Sequence, residues 1–227
     1  MKITWLGHSG FKIEIAGEVL LIDPFLTGNP VFPEDRKAEA TDGVTAILVS
    51  HGHGDHVGDA METAKSAGLP VYTMVELAGW LGSKGVENVT GFNKGGTVSI
   101  GDVKVTMVHA THSSSTPDGG YAGSEAGFMI EGDGHTIYFS GDTDVMADMK
   151  VFNDLHQPDI GILCCGGHYT MDMRRAAYAA KTFFDFKTLI PCHYKTFPLL
   201  EQSAQPLVDA LPGVNVIEAE VLEPFEV

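Results

Sequence analysis

Six consecutive residues, His51-Gly52-His53-Gly54-Asp55-His56, hold three imidazoles and one carboxylate. Neutral imidazole and carboxylate are the ligands that suit zinc and related divalent cations. In extended backbone His51 and His53, two apart, share a direction. Asp55 and His56 fall where a helix is expected to begin and can form a second ligand pair. Glycines at 52 and 54 let the chain turn tightly enough for the four side chains to converge. A polar loop has little structural use for such a density of imidazole, so the segment reads as a metal site.

Other candidates lie singly along the chain. Asp142 stands in Ser140-Gly141-Asp142-Thr143, directly after the apolar run 136–139. Taken alone, this is a capping turn, because Asp is a good N-cap. His193 follows the apolar run 188–190 within Pro191-Cys192-His193-Tyr194. Cys192 beside it is either a thiolate ligand or a small buried residue. Adjacent strand residues point to opposite faces, which favours the second. His109 and His112 stand three apart, the first near a strand end and the second in the following loop.

These residues need elements to position them. The run 44–49 (VTAILV), between Gly43 and Ser50, reads as a buried strand that delivers the His-rich segment. Short strands are expected at 2–6, 11–16 and 19–23, a helix at 57–67, a strand at 70–74 and a helix at 75–83. Further strands are expected at 97–100, 103–109, 126–131 and 135–140, the last two joined by the hairpin signal Gly132-Asp133-Gly134. Helices follow at 145–156, 171–184 and 201–211, and strands at 159–164, 187–191, 214–218 and 220–226. Strands come first, then strand and helix interleave, and this happens twice. The pattern predicts two mixed sheets packed together with helices on the outer faces. The long polar connection 110–125 is expected to be functional.

Composition narrows the partners. A chain of 227 residues suits one domain, 1–227, with a sizeable core. The formal charge of −16 repels a nucleic-acid backbone over most of the surface, so no nucleic-acid partner is expected. Three cysteines without a C-x-x-C pair fit a reducing cytoplasm better than a disulfide framework. The N-terminus lacks the apolar core of a signal peptide, and no run approaches the ~18 apolar residues of a membrane span. The expectation is a cytoplasmic protein with a small-molecule substrate and no membrane partner. Oligomeric state is not legible.

His-x-His-x-Asp-His after a buried strand resembles the signature of the metallo-β-lactamase superfamily. That resemblance implies a four-layer αββα sandwich of the α/β (α+β) class. It also implies two metal ions in one cleft, with a further His, a bridging Asp and a last His at strand ends, matched here by His112, Asp142 and His193. His112 is preferred to His109 because His-Ser-Ser follows the ligand in the subgroup that this chain is most similar to. Leu6-Gly7-His8-Ser9-Gly10-Phe11, the Asp23-Pro24-Phe25 turn and His193-Tyr194-x-Thr196-Phe197 carry the match to that subgroup. Its members are known only as bacterial and archaeal metal-dependent hydrolases, related to the enzymes that open ascorbate-6-phosphate lactone. The resemblance covers essentially the whole chain.

The implied chemistry is hydrolysis of a small ester, lactone or phosphodiester by a bridging hydroxide on a dinuclear centre. His51, His53 and His112 are assigned to one metal, Asp55, His56 and His193 to the other, with Asp142 bridging. Zinc is the default metal and manganese the next, with iron or nickel also compatible. Asp55 is read as both ligand and orienter of the hydroxide. His8 and His168 are the candidates for protonating the leaving group. His8 reads equally as a packed turn histidine. His168 falls in Gly166-Gly167-His168-Tyr169-Thr170-Met171, where the subgroup carries Gly-Asp-Asn, and reads equally as a loop residue. His135 and His156 read as structural. A secreted β-lactamase, a flavo-diiron oxidoreductase (His-x-Glu-x-Asp-His), an RNA-processing nuclease and a non-catalytic metal sensor are the competing readings.

Overall fold

A computed structural model describes residues 1–227. Period-two burial first shapes the N-terminal strands. β1 (Lys2–Trp5), β2 (Phe11–Ile15) and β3 (Glu18–Ile22) form an antiparallel meander in which Phe11, Ile13 and Ile15 of β2 are buried and Lys12 and Glu14 between them are partly exposed. β4 (Ala46–Leu48), β5 (Val71–Met74) and β6 (Val89–Phe92) then add in parallel. The second sheet repeats the plan. β7 (Thr97–Ile100), β8 (Val103–His109), β9 (Ala126–Gly132) and β10 (His135–Phe139) are antiparallel, and β11 (Ile160–Cys164), β12 (Thr188–Cys192) and β13 (Asn215–Val216) follow in parallel. β14 (Pro224–Glu226) returns to pair with β1. The sheet orders are therefore 14-1-2-3-4-5-6 and 13-12-11-10-9-8-7, two mixed sheets as the sequence predicts.

Seven helices complete the fold: α1 (Lys37–Thr41), α2 (Gly54–Val57), α3 (Ala60–Ala67), α4 (Val75–Ser83), α5 (Asp148–His156), α6 (Met173–Phe183) and α7 (Gln205–Ala210). α4 packs on β5 and β6, and α6 on β11, giving the expected α/β sandwich. None of them is long and apolar enough to cross a membrane.

Alternation along β10 builds two apolar layers at once. Phe139 faces the other sheet, with Phe11 and Phe128 both 6.3 Å away between ring centroids, and Phe92 stacks on Phe128 at 6.2 Å. Its neighbour Tyr138 faces the helices, 5.9 Å from Phe152 and 5.1 Å from Phe184. Each such buried aromatic stabilises the fold by roughly 1.5–3 kcal/mol of transfer free energy.

Several elements differ from the sequence reading. The helix expected at 57–67 is two helices, α2 and α3, broken at Gly58. A Cβ on Gly58 would lie 2.5 Å from the Pro24 carbonyl oxygen, so the chain must pass close to the 24–25 turn there. β6 escapes period-two reading because it is an edge strand with exposed Thr90 and Gly91. α1 is one turn and a half, too short to show periodicity. The strand expected at 220–226 is reduced to β14 and an isolated bridge from Val221 to Trp5.

Candidate metal centre

Four strand ends and one short helix converge at one rim of the sandwich. β4 ends at Leu48, and the chain passes through Ser50 and His51 before α2 begins at Gly54. Asp55 and His56 therefore lie inside α2. His112 lies three residues past β8, Asp142 three past β10, and His193 directly after β12. All seven residues expected to bind metal come together.

The shared carboxylate is Asp142. Its Oδ2 lies 3.2 Å from His56 Nε2, 3.1 Å from His193 Nε2 and 3.6 Å from His112 Nε2. His51 Nε2 stands 3.0 Å from His53 Nδ1, and the His112 ring lies 5.3 Å from that of His51 and 5.1 Å from that of His53. On the other side, Asp55 Oδ2 is 3.8 Å from both His56 Nε2 and His193 Nε2. The donor atoms fall into three groups, each within 4.8 Å internally: His51, His53 and His112; His8, Asp55, His56 and His193; and His51, His56 and Asp142. His56 Nε2 and Asp142 Oδ1 are buried without hydrogen-bond partners. Buried polar atoms are rarely left so. Imidazole and carboxylate donors with unspent lone pairs fit divalent cations in both chemistry and number.

The backbone is arranged for this convergence. His8, Asp23 and His193 all adopt positive φ, at 54°, 43° and 57°. Strained residues of this kind persist where surrounding structure holds them, and functional sites are their usual location. Gly141 admits no side chain, because a Cβ would lie 2.3 Å from the Ala126 carbonyl oxygen. Gly52 is likewise pressed against loop 110–125, with Ala122 Cβ 2.5 Å from where its own Cβ would be. The Gly52 amide donates to Ser114 Oγ at 3.2 Å, and Ser113 Oγ lies 3.5 Å from His53 Nε2. Gly52 is thus needed for close approach rather than for a turn. Gly54, which has open space around it, merely starts α2.

Charge is balanced within the cluster. Burial opposes ionisation of Asp142, but His193 and His56 overcome it and hold the carboxyl well below its usual range. Burial opposes ionisation of Asp55 too, and His56, His193 and His8 likewise hold it ionised. Burial lowers His193, yet Asp142 and Asp55 raise it to about 9. In the metal-free protein His56 and His193 thus supply the positive charge that the two carboxylates require, a charge that a bound cation would supply instead.

Three supporting groups have no role legible in the sequence. Asp23, buried at the end of β3, accepts from the Ser50 amide at 2.7 Å and from the Ser50 hydroxyl at 2.6 Å. Its Oδ2 also takes the N–H of His56 Nδ1 at 2.7 Å. Ser50 Oγ in turn lies 3.0 Å from His51 Nδ1. One carboxylate therefore orients two imidazoles. The one sequence signal, the strand-end Asp23-Pro24 pair, reads only as a turn. Thr196, the third, lies 2.9 Å from His8 Nδ1 through its Oγ1.

The two candidate proton donors have different surroundings. His8 is 1% exposed, with Nε2 2.9 Å from Asp55 Oδ2, so both ring nitrogens are engaged and no face is open to a leaving group. His168 is exposed, and its ring meets Tyr169 edge to face at 4.6 Å. It makes no side-chain hydrogen bond or ion pair with the cluster. His109 is half-buried and pairs with Asp148 at 2.9 Å, leaving His112 as the histidine that faces Asp142. His135 and His156 pair with Asp159 and Glu131. Cys192 is a buried thiol, pushed up by burial.

A profile of the β-lactamase superfamily domain matches residues 19–194, a span that holds every residue of the cluster except His8. The chain belongs to the metallo-β-lactamase superfamily. A metal-dependent hydrolase from Dinoroseobacter shibae is 66% identical, with each chain covered in full. The metallo hydrolase Igni18 from Ignicoccus hospitalis is 32% identical and superposes with a TM-score of 0.87, over 100% of this chain and 98% of that one. The diiron β-hydroxylase CmlA from Streptomyces venezuelae, 15% identical, shares the fold with a TM-score of 0.76 over 100% of this chain and 54% of that one. A fold that hosts oxidation as well as hydrolysis does not by itself name the reaction. The full-length relatives do, at the level of class: this superfamily member is a metal-dependent hydrolase.

Proposed function

We propose that the cluster holds two divalent cations and hydrolyses a small ester, lactone or phosphodiester. His51, His53 and His112 hold one cation, Asp55, His56 and His193 the other, and Asp142 is shared. The observation that carries this reading is the place of Asp142 Oδ2, within 3.1–3.6 Å of imidazole nitrogens from both sets. Bound divalent cations supply hydroxide at neutral pH and stabilise negative charge developing on a carbonyl or phosphoryl oxygen.

The chain's own residues divide the remaining work. Asp142, 1% exposed, is placed to neutralise charge rather than to meet substrate. The Asp55 side chain is 34% exposed, so it both touches the cluster and faces the open side. It is the carboxylate placed to orient an attacking water and take its proton. Asp23 and Ser50 fix the tilt of His56 and His51, so the donors need little reorganisation. The half-buried rings of Phe25 and Phe197 flank His8 edge-on, each 5.7 Å away, and pack its ring in place. Zinc is the proposed metal and manganese the next, because imidazole-rich sites with carboxylates accept both. A cytoplasmic location and a small-molecule substrate complete the reading.

Metal content measured by plasma mass spectrometry tests it. Protein purified without chelator is expected to carry about two ions per chain. Asp142→Ala is expected to lose at least one of them, together with turnover of chromogenic ester, lactone and phosphodiester substrates. Full metal content and full activity in that variant would overturn the assignment.

A further inference from the structure

We infer that His8 is itself a metal ligand, completing one cation site with Asp55, His56 and His193; this rests on the dinuclear reading above. The donor atoms of these four residues lie within 4.8 Å of one another. What decides between a ligand and a mere hydrogen-bond partner is the direction of the protons around the His8 ring.

Thr196 donates its single hydroxyl proton to the Tyr194 carbonyl at 3.2 Å. Its oxygen is then left to accept, and His8 Nδ1–H donates to it at 2.9 Å. With the Thr196 hydroxyl turned instead to His8 Nδ1, Nε2–H would donate to Asp55; with it turned to the Tyr194 carbonyl, Nε2 carries a lone pair. The lone pair faces Asp55 Oδ2 across 2.9 Å. Two acceptors at that separation repel unless a cation lies between them. The same logic holds for His56. Its Nδ1–H donates to Asp23, which leaves Nε2, buried and unpartnered 3.8 Å from the same Asp55 oxygen, free to present its lone pair to a cation. His193 Nε2 approaches that oxygen to 3.8 Å from a third direction. Three imidazole nitrogens gathered around one carboxylate oxygen are more than one shared proton can serve, and they suit one divalent cation.

The rest of His8 is built as a ligand is built. Ligating imidazoles pass their other N–H to a fixed acceptor. Thr196 does this for His8, as Asp23 does for His56. The His8 carbonyl receives the Trp5 indole N–H at 3.0 Å and the His193 amide at 2.9 Å. Its ring lies 3.9 Å from that of His193. These contacts hold a non-glycine residue at positive φ, so the ring has one placement. The two cation sites then differ. One offers three imidazoles, and the other three imidazoles with Asp55, so the cations are expected to load stepwise.

Cobalt(II) titrated into the metal-free protein tests the inference. The readouts are binding affinities and the exchangeable imidazole N–H resonances that the cobalt shifts in proton NMR. The wild type is expected to show one shifted N–H for each ligating histidine. His8→Gln is expected to show one fewer, and to bind one of its ions at least ~10–100-fold more weakly. Gln can still donate to Asp55, so an unchanged affinity for both ions and no lost resonance would overturn the inference and leave His8 as a hydrogen-bond partner. Thr196→Val keeps the ring and removes its acceptor. It is expected to keep the His8 resonance but move it and speed its exchange, which preserves the test if His8→Gln fails to fold. An unmoved spectrum in Thr196→Val would overturn the inference as well. Fewer than about two cobalt ions in the wild type would overturn the dinuclear reading itself, a result separable from loss at His8 alone.

Discussion

The two halves of the molecule share one plan and use it differently. Each runs an antiparallel meander into a parallel trio, β1–β3 into β4–β6 and β8–β10 into β11–β13. His8 lies three residues past β1, and His112 three past β8. Asp23 follows β3, and Asp142 follows the matching strand β10. Yet the two strand-end carboxylates do opposite things. Asp23 accepts N–H and O–H from groups of its own half and orients them. Asp142 faces Nε2 atoms from both halves, and its Oδ1 is left without a hydrogen-bond partner. Whether a strand-end carboxylate is spent on hydrogen bonds depends on which nitrogens the rest of the cluster turns toward it.

The sharpest way to break this comparison is at Asp23. Asn tolerates its positive φ but cannot accept at both positions from Ser50 and His56. Asp23→Asn is expected to weaken metal binding by roughly 10–100-fold with the fold retained. Equal affinity in competition with a chelator would show that the first half does not orient its donors this way.

A smaller effect separates the halves by pH in the metal-free protein. Burial first, and then His193, lower His8 to about 4 from 6.5. Between those values the unfolded chain binds the extra proton, so stability falls as pH drops from about 6.5 toward 4. His193, raised to about 9 by Asp142 against burial, behaves in the opposite sense. Above 6.5 the folded state holds the extra proton, and stability falls as pH rises toward 9. Chemical denaturation of metal-free protein across this range is expected to give a maximum near pH 6.5. A monotonic profile would show that the two histidines are not poised against each other. Bound metal is expected to flatten both limbs.

The smallest effect lies away from the site, in the helix-facing layer of the second half. The Tyr138 hydroxyl is buried without a partner. Tyr138→Phe removes that unsatisfied group and is expected to raise stability by about 1 kcal/mol, read by thermal melting. A clear loss would reveal a partner for the hydroxyl.

The sequence by itself determined the repeated strand-then-interleave plan and the donor types. His51, His53, Asp55 and His56 were legible together because one six-residue segment carries all four, and chain connectivity alone keeps them close. Asp142 and His193 were legible only as strand ends, since an Asp after a strand caps a helix as readily as it ligates. Tertiary structure decided what the chain spacing leaves open. It chose His112 over His109, because the chain turns inward past β8 while His109 stays with Asp148 on the surface. It made Asp23 a support, placed His168 outside the cluster, and brought His8 and Thr196, 188 residues apart in the chain, into contact. Those choices turn on which way side chains face across the two sheets, and a direction between distant strands exists only once the sheets have packed.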